Sequence, residues 1–221
     1  MPCGCINVID EELLVLKCIS KCDFHIEASL DMLKDEAYYR ALGALEVNAP
    51  MQYCDELIEA IGVVPPGRRA VEIGGGVSPY VSLLQSQGYT YTLVEPNFWA
   101  CSETKARYLN VNVIPTAFPF EGSMRLFDNH DLVLAAHVLE HIKNLRSAME
   151  QINAALVPGG HLIIIVPDDT DQWNPDHVWF FNERSLRHLL IRFGFEVLRM
   201  STHQRVTHEK FIYCLGKKTI S

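Results

Sequence analysis

The chain has 221 residues, a formal net charge of -8 at pH 7 and a hydrophobic share of 48%. That length allows one domain with a small appendage and a sizeable core, so extended disorder is excluded. The acidic balance argues against broad nucleic-acid binding, which needs a basic face, and no apolar run approaches the roughly 18 residues of a membrane span.

The strongest apolar run is only Leu162 to Val166, and no basic stretch followed by an apolar one opens the sequence. The expectation is a cytoplasmic chain with no nucleic-acid or membrane partner and with its seven cysteines mostly reduced. Four of them, Cys3, Cys5, Cys18 and Cys22, crowd the N-terminus and could ligate zinc, but the spacing is unusual and ordinary buried or terminal thiols are the favoured reading. Between them Glu11 to Ile19 reads as a helix, with Leu13, Leu14, Leu16 and Ile19 as its apolar side. Ile26, Leu30, Leu33, Ala37, Ala41 and Leu45 recur at helical spacing. A further helix starts near Pro50, carries Met51, Cys54, Leu57, Ile58 and Ile61, and ends at Pro65-Pro66-Gly67. Residues 1–64 are therefore expected to form a helical extension or lid, and 65–221 the main domain. Tyr38, Tyr39 and Arg40 could line a pocket, or simply face solvent.

Arg69 to Ile73 is a short apolar run of the kind buried in a sheet, and Gly74-Gly75-Gly76 follow at once. Three glycines let the backbone turn sharply and approach a ligand with no Cβ in the way. The helix that follows offers free N–H groups, so a nucleotide-like cofactor suits this strand end. A dinucleotide fingerprint would need a third glycine where Pro79 stands. A pyrophosphate would also be repelled by Glu72, whereas a ligand bearing an ammonium and a sulfonium would not.

Downstream the chain alternates. Tyr80 to Gln87 is helical and stops at Gly88; Thr90 to Val94 is a strand ending in Glu95-Pro96-Asn97; Phe98 to Leu109 is helical; Val111 to Pro115 is a strand. Glu121 to His130 reads as a surface loop and Asp131 to Ala135 as a strand. A helix from Val138 to Leu156 then presents Leu139, Ile142, Leu145, Met149, Ile152 and Leu156. Pro158-Gly159-Gly160 is a turn before the strand His161 to Val166. Asn182 caps a helix that runs to Phe193 and stops at Gly194, and Phe195 to Met200 and Lys210 to Leu215 finish as an antiparallel pair. Such alternation predicts an α/β fold, a mostly parallel sheet with helices on both faces.

In such a sheet ligands sit beyond the C-terminal strand ends. Glu95 stands at the spacing expected of a carboxylate that accepts ribose hydroxyls. Thr116-Ala117-Phe118 could meet an adenine, and Ala136-His137-Val138-Leu139-Glu140-His141 and Pro167-Asp168-Asp169 complete the rim. Histidine titrates in the range useful to a base, so His141, His177, His137 and Asp168 are the candidates for handling an acceptor proton, with His177 and His141 foremost. Each also has a purely structural reading. Trp173 and Trp179 flank His177 and could wall a substrate pocket. Arg184, Arg187, His188 and Arg192 form a basic helix surface, which is ordinarily a solvated face.

The Glu-x-Gly-x-Gly stretch resembles motif I of class I S-adenosylmethionine-dependent methyltransferases. The segment Asp131 to Ile142, with its Asp-x-Val and Leu-Glu-His signatures, looks like the strand-four region of the small-molecule members. Pro158-Gly159-Gly160 and the run from His177 through Phe181 to Gly194-Phe195 fit as well, so the resemblance spans roughly residues 65 to 215. It implies a Rossmann-like, seven-stranded class I methyltransferase fold. It also implies S-adenosylmethionine held by Glu72, Gly74, Gly75, Gly76, Glu95, Pro96, Thr116, Ala117, Phe118, His137 and Val138, with S-adenosylhomocysteine as product and no metal. The Asp often found after strand three to bind adenine is absent, with Thr116 or Ala117 in its place. The acceptor is expected to be a small molecule methylated on oxygen, with nitrogen and carbon open, and a homodimer is compatible. Three other readings remain. One is a cofactor-binding module without catalysis, and one is a nicotinamide-dependent oxidoreductase. The third, a protein or RNA methyltransferase, is disfavoured by the charge and by the lack of an Asn-Pro-Pro-Tyr-type signature.

Overall fold

The structure is a computed structural model that describes residues 7–10, 15–18, 68–120, 128–168, 177–204 and 210–220, the first two segments as backbone. Seven strands form the main sheet: β3 (Arg69–Ile73), β4 (Thr90–Val94), β5 (Val111–Ile114), β6 (His130–Ala136), β7 (Leu156–Pro167), β9 (Phe195–Gln204) and β10 (Lys210–Lys218). Their order is β5-β4-β3-β6-β7-β10-β9. The first five are parallel, and β10 runs antiparallel to both β7 and β9.

Side chains alternate across each strand, and the sequence uses that period to build two cores. Val71, Val133, Ala135, Leu162, Ile164, Val166, Ile212 and Cys214 face one side. There they meet α3 (Leu145–Ala155) and α4 (Glu183–Arg192) through Met149, Ile152, Leu186 and Leu189. Ala70, Tyr91, Leu93, Leu132, Leu134, Ile163, Ile165, Phe211 and Tyr213 face the other. That side packs on α1 (Tyr80–Ser86) through Val81 and Leu84, and on α2 (Phe98–Arg107) through Cys101. The chain moves from β3 outward to β5, then returns to β6 on the opposite flank of β3. A crevice therefore opens at the C-terminal ends of β3 and β6.

Local signals end the helices where they stand in the sequence. Asn97 accepts from Ala100 N at 3.0 Å to start α2, and Asn182 and Ser185 form a reciprocal capping box on α4. Asp131 fixes the start of β3 by accepting from Arg69 N at 2.7 Å.

Several expectations are corrected. The helix over Glu11 to Ile19 is not formed: Val15–Cys18 is strand β2, paired antiparallel with β1 (Asn7–Asp10). β2 also pairs with β8 (Trp179–Phe180), making a separate three-stranded sheet. Leucines and a β-branched terminus satisfy a strand as well as a helix, and tertiary pairing decides. The remaining expectations for residues 1–64, including Tyr38 to Arg40 and the other N-terminal cysteines, lie outside the described residues. The helix from Val138 to Leu156 is interrupted. A single 3-10 turn, Leu139–His141, is followed by an extended Ile142, and α3 starts only after Asn144, whose side chain accepts from Ser147 N at 3.1 Å. His130 is not loop but the buried first residue of β6, while residues 121–127 lie outside the description. Pro158-Gly159-Gly160 is a bulge within β7, where β6 advances from His130 to Leu132 as β7 advances from Leu156 to His161. Gly159 absorbs it at φ +77°.

Candidate active site

The glycine turn follows β3 directly. Gly74 and Gly76 adopt φ of +68° and +58°, a region costly for any residue with a Cβ. A Cβ on Gly74 would also lie 2.6 Å from Val138 Cγ2, and one on Gly75 would lie 2.5 Å from Glu72 Cδ. The turn is thus packed between the β6 end and the Glu72 carboxylate below it. Glu72 is 1% exposed and accepts a hydrogen bond from the Tyr91 hydroxyl, whose oxygen lies 3.3 Å from Ser78 Oγ and is free to accept from that hydroxyl. Nothing in the sequence singled out Tyr91 and Ser78. Their cue is only that a buried carboxylate needs a donor.

Glu95 is likewise 1% exposed. Its Oε2 accepts from Gly76 N at 3.0 Å and its Oε1 from Asn97 N at 2.8 Å. Each carboxylate oxygen can accept more than one donor, so Glu95 keeps capacity for hydroxyls while it holds the turn. Pro96 follows it, partly buried. Thr116, Ala117 and Phe118 leave the end of β5, where Thr116 N donates to Ile114 O at 3.0 Å and the Phe118 ring meets Phe120 edge-on at 5.5 Å. Phe120 is clamped on both backbone groups by the Gln151 amide, at 2.9 and 3.0 Å. These residues suit S-adenosylmethionine. The turn offers bare backbone where no side chain would fit, and the two buried carboxylates beside it match a ligand with a positive charge and ribose hydroxyls.

The end of β6 carries the histidines. His137 takes φ +53°, donates its backbone N–H to Ile165 O at 2.8 Å, and places Nδ1 3.6 Å from Glu140 Oε1. Glu140 is 1% exposed and His141 Nε2 lies 4.0 Å from its Oε1. Burial pushes the Glu140 carboxyl up, but the hydrogen bond and charge of His137 and the charge of His141 outweigh it, and the group is held below its ordinary value. His177 arrives from a distant segment and is pinned by its neighbours. Val178 N donates to Glu140 O at 2.8 Å, and the Trp179 indole donates to Ile142 O at 2.6 Å. The His141 and His177 rings then meet edge-on at 5.0 Å.

The structure therefore brings His141 and His177 together with Glu140, a residue that the sequence reading did not choose. Its signal was a carboxylate inside an otherwise apolar segment. Asp168 does not join that group: it follows the end of β7, bridges to Phe181, and its N–H donates to Lys210 O at 3.0 Å. Trp179 is not a pocket wall. It is 2% exposed and belongs to the core, its one polar atom satisfied by the Ile142 carbonyl. Trp173 lies outside the described residues. Arg184, Arg187 and Arg192 are exposed on α4, as a solvated face would be.

Comparison with known proteins places the chain. The methyltransferase domain family matches residues 46–200, well over half of the sequence. A highly reducing polyketide synthase, verA of Penicillium polonicum, is 32% identical over 124 residues, covering 48% of this chain and 5% of that protein. A hybrid PKS-NRPS synthetase, pydA of an Acremonium species, is 28% identical over 144 residues, covering 61% and 3%. The chain thus spans only a small part of the length of the curated relatives it matches. Among solved structures, the Burkholderia thailandensis 1,6-didemethyltoxoflavin-N1-methyltransferase, bound to that compound and S-adenosylhomocysteine, superposes with a TM-score of 0.69 at 18% identity, covering 89% of this chain and 90% of that one. The N-methyltransferase NodS from Bradyrhizobium japonicum, in complex with S-adenosylhomocysteine, gives 0.63 at 17% identity, covering 87% and 97%. The nicotinamide alternative is set aside by this family match. The chain belongs to the methyltransferase domain family and is a methyltransferase domain of the class I, S-adenosylmethionine-dependent kind.

Proposed function

We propose that this domain transfers a methyl group to a small-molecule acceptor, with oxygen as the acceptor atom. The observation that carries this reading is the pairing of two sites at one sheet end. One is a glycine crevice floored by Glu72 and Glu95; the other is the His141–His177 pair beyond Val138. When bound, S-adenosylmethionine supplies a methyl group on a sulfonium. Gly74, Gly75 and Gly76 line its binding crevice with backbone, Glu95 accepts its ribose hydroxyls, and Pro96, Thr116, Ala117, Phe118, His137 and Val138 complete the walls. Glu72 acts from beneath the turn, as a negative charge held by Tyr91.

A bare methyl transfer needs in-line placement, and positioning alone can supply much of the rate. A group that receives a proton is needed only for a protonated acceptor such as a hydroxyl. His141 and His177 stand where such an acceptor would sit, and they contact it or relieve it of its proton. The polyketide synthases among the relatives leave carbon as the second acceptor atom; the buried acid beside two imidazoles favours oxygen. As further parts of this reading, the domain divides near residue 65, acts in the cytoplasm, and binds neither nucleic acid nor membrane. No helix among the described residues is long and apolar enough to cross a membrane.

The test is thermal unfolding of the purified protein with S-adenosylhomocysteine, S-adenosylmethionine or NADH. A ligand that binds only the folded state raises the midpoint, by about 2.7 kcal/mol at roughly a hundredfold over its dissociation constant. A shift with the first two alone supports the cofactor site. Labelled-methyl transfer to a panel of phenols, amines and activated methylenes then reads the acceptor atom. A shift with neither, or transfer only to amines or carbon, overturns the corresponding part of the proposal.

A further inference from the structure

The sequence reading placed no metal at this site, but the side chains at the end of β6 point to one. Glu140, His141 and His177 each offer a ligand atom, and these atoms all lie within 4.8 Å of one another. Two further observations single out the group. Glu140 is 1% exposed, and its Oε2 is a buried oxygen with no hydrogen-bond donor among the described residues. A buried carboxylate oxygen with no hydrogen-bond donor is costly, and a cation beside it relieves that cost. The three residues are also fixed from outside. His137 Nδ1 stands 3.6 Å from Glu140 Oε1, while the Val178 N–H and the Trp179 indole lock the His177 segment onto the Glu140–Ile142 backbone. Outer groups that orient ligands in this way are what metal sites require.

We propose that Glu140, His141 and His177 form a site for a divalent transition cation of the manganese or zinc class, adjoining the methyl-donor crevice. Two imidazoles and a carboxylate are a donor set that such ions accept, with metal–ligand distances of about 2.0–2.2 Å and donors therefore about 3 Å apart. Small rotamer changes of His141, whose side chain is 30% exposed, close the remaining gap. Three protein ligands leave coordination positions open for an acceptor. A bound hydroxyl would ionise more readily, as water does on such ions. The proton passes to solvent, the acceptor oxygen forms its bond to the methyl carbon, and the bond from that carbon to sulfur breaks with its electron pair returning to sulfur. His177 then acts as a ligand and not as a base. This refinement rests on the methyltransferase reading; the site itself does not.

The experiment is titration of the chelator-treated full chain with Mn2+, followed by the loss of the free-ion paramagnetic resonance signal. Mn2+ is chosen because the N-terminal cysteines would compete for zinc but bind manganese poorly. A Zn2+ titration by calorimetry is made in parallel in a variant with Cys3, Cys5, Cys18 and Cys22 changed to Ser. One Mn2+ per chain is expected, with affinity reduced at least tenfold in Glu140→Gln and again in His177→Ala. Should Glu140→Gln fail to fold, His177→Ala and His141→Ala carry the test. Absence of Mn2+ and Zn2+ binding at millimolar ion, or binding that these variants leave unchanged, overturns the site. The thermal shift with S-adenosylhomocysteine is measured on the metal-free protein. Its loss would count against the methyltransferase reading and its retention would not rescue a failed metal titration, so the two outcomes stay separate.

Discussion

At the ends of β3 and β4 the groups that face the crevice are largely backbone, three glycines and the amides around them, with Glu72 and Glu95 buried beneath. At the end of β6 they are side chains, gathered from the Glu140–His141 turn and from His177, two stretches bonded across the Trp179–Ile142 contact over 37 residues of sequence. The first region tolerates no added atoms, because its shape is the chain's own path. On the proposed reading the second tolerates change in shape but not in chemistry, because the proposed site consists of three polar atoms on separate segments. Substitutions should therefore cost stability in the first and turnover or ion affinity in the second.

Gly74→Ala is the largest break. It combines φ +68° with a Cβ at 2.6 Å from Val138 Cγ2. Left-handed strain of about 1–2 kcal/mol and overpacking of about 1–3 kcal/mol should together lower stability by roughly 2–5 kcal/mol. Urea unfolding reads it, and a change under 1 kcal/mol would mean that the turn is not rigid.

Acid stability asks whether pH sensitivity belongs to either region. Burial first, then the charge of Arg69, hold His130 down to about 4 against partial opposition from Asp131 and Asp128. A histidine depressed in the folded state is protonated first in the unfolded one. Stability is thus unaffected above pH 6.5 and falls as pH drops from 6.5 toward 4, by up to about 3 kcal/mol. His130→Leu should flatten that limb of the denaturation curve. If the slope persists, the titrating group lies elsewhere.

Glu95→Ala should weaken S-adenosylhomocysteine binding by about 1–3 kcal/mol, the range for charge-assisted hydrogen bonds. His177→Ala should leave that affinity within twofold while lowering turnover. Calorimetry on both variants sharpens the division, and equal loss of cofactor affinity in each would erase it. The smallest effect is expected of Trp179→Phe, which removes one buried hydrogen bond to Ile142 O and should cost about 1–2 kcal/mol of stability.

Much of the sheet was readable because its strands alternate cleanly and end at glycine, proline or asparagine. β3, β4, β5, β6, β9 and β10 cover the runs read as strands, whereas β8 was not anticipated and β7 extends back through the Pro158-Gly159-Gly160 turn. The break between Leu139–His141 and α3 was not readable from periodicity. Leu139, Ile142 and Leu145 are all buried whether or not the helix is continuous, and only Asn144 as a cap gave it away. β2 was misread because its leucines fit either period and its partner is the remote Trp179–Phe180 pair. Of the candidate site, the adjacency of the glycine turn and Glu95 was legible because the two stand at a fixed spacing on neighbouring strands, and Glu95 accepts from Gly76 N at 3.0 Å. The grouping of Glu140 with His141 and His177 was not, since it depends on the bond from Val178 N to Glu140 O.

The three-stranded sheet carries a consequence for the order in which the molecule is completed. Leu16 pairs with Phe180 and Lys17 with Trp179, so β2 closes onto a strand far downstream in the sequence. A two-stranded hairpin alone is marginal in water. β1 and β2 therefore gain their third strand only after the ribosome has released the stretch that also delivers His177. Contacts so distant in sequence form slowly. β1 and β2, made before that stretch, are among the last strands to be secured, and β2 pairs with the segment that directly follows His177.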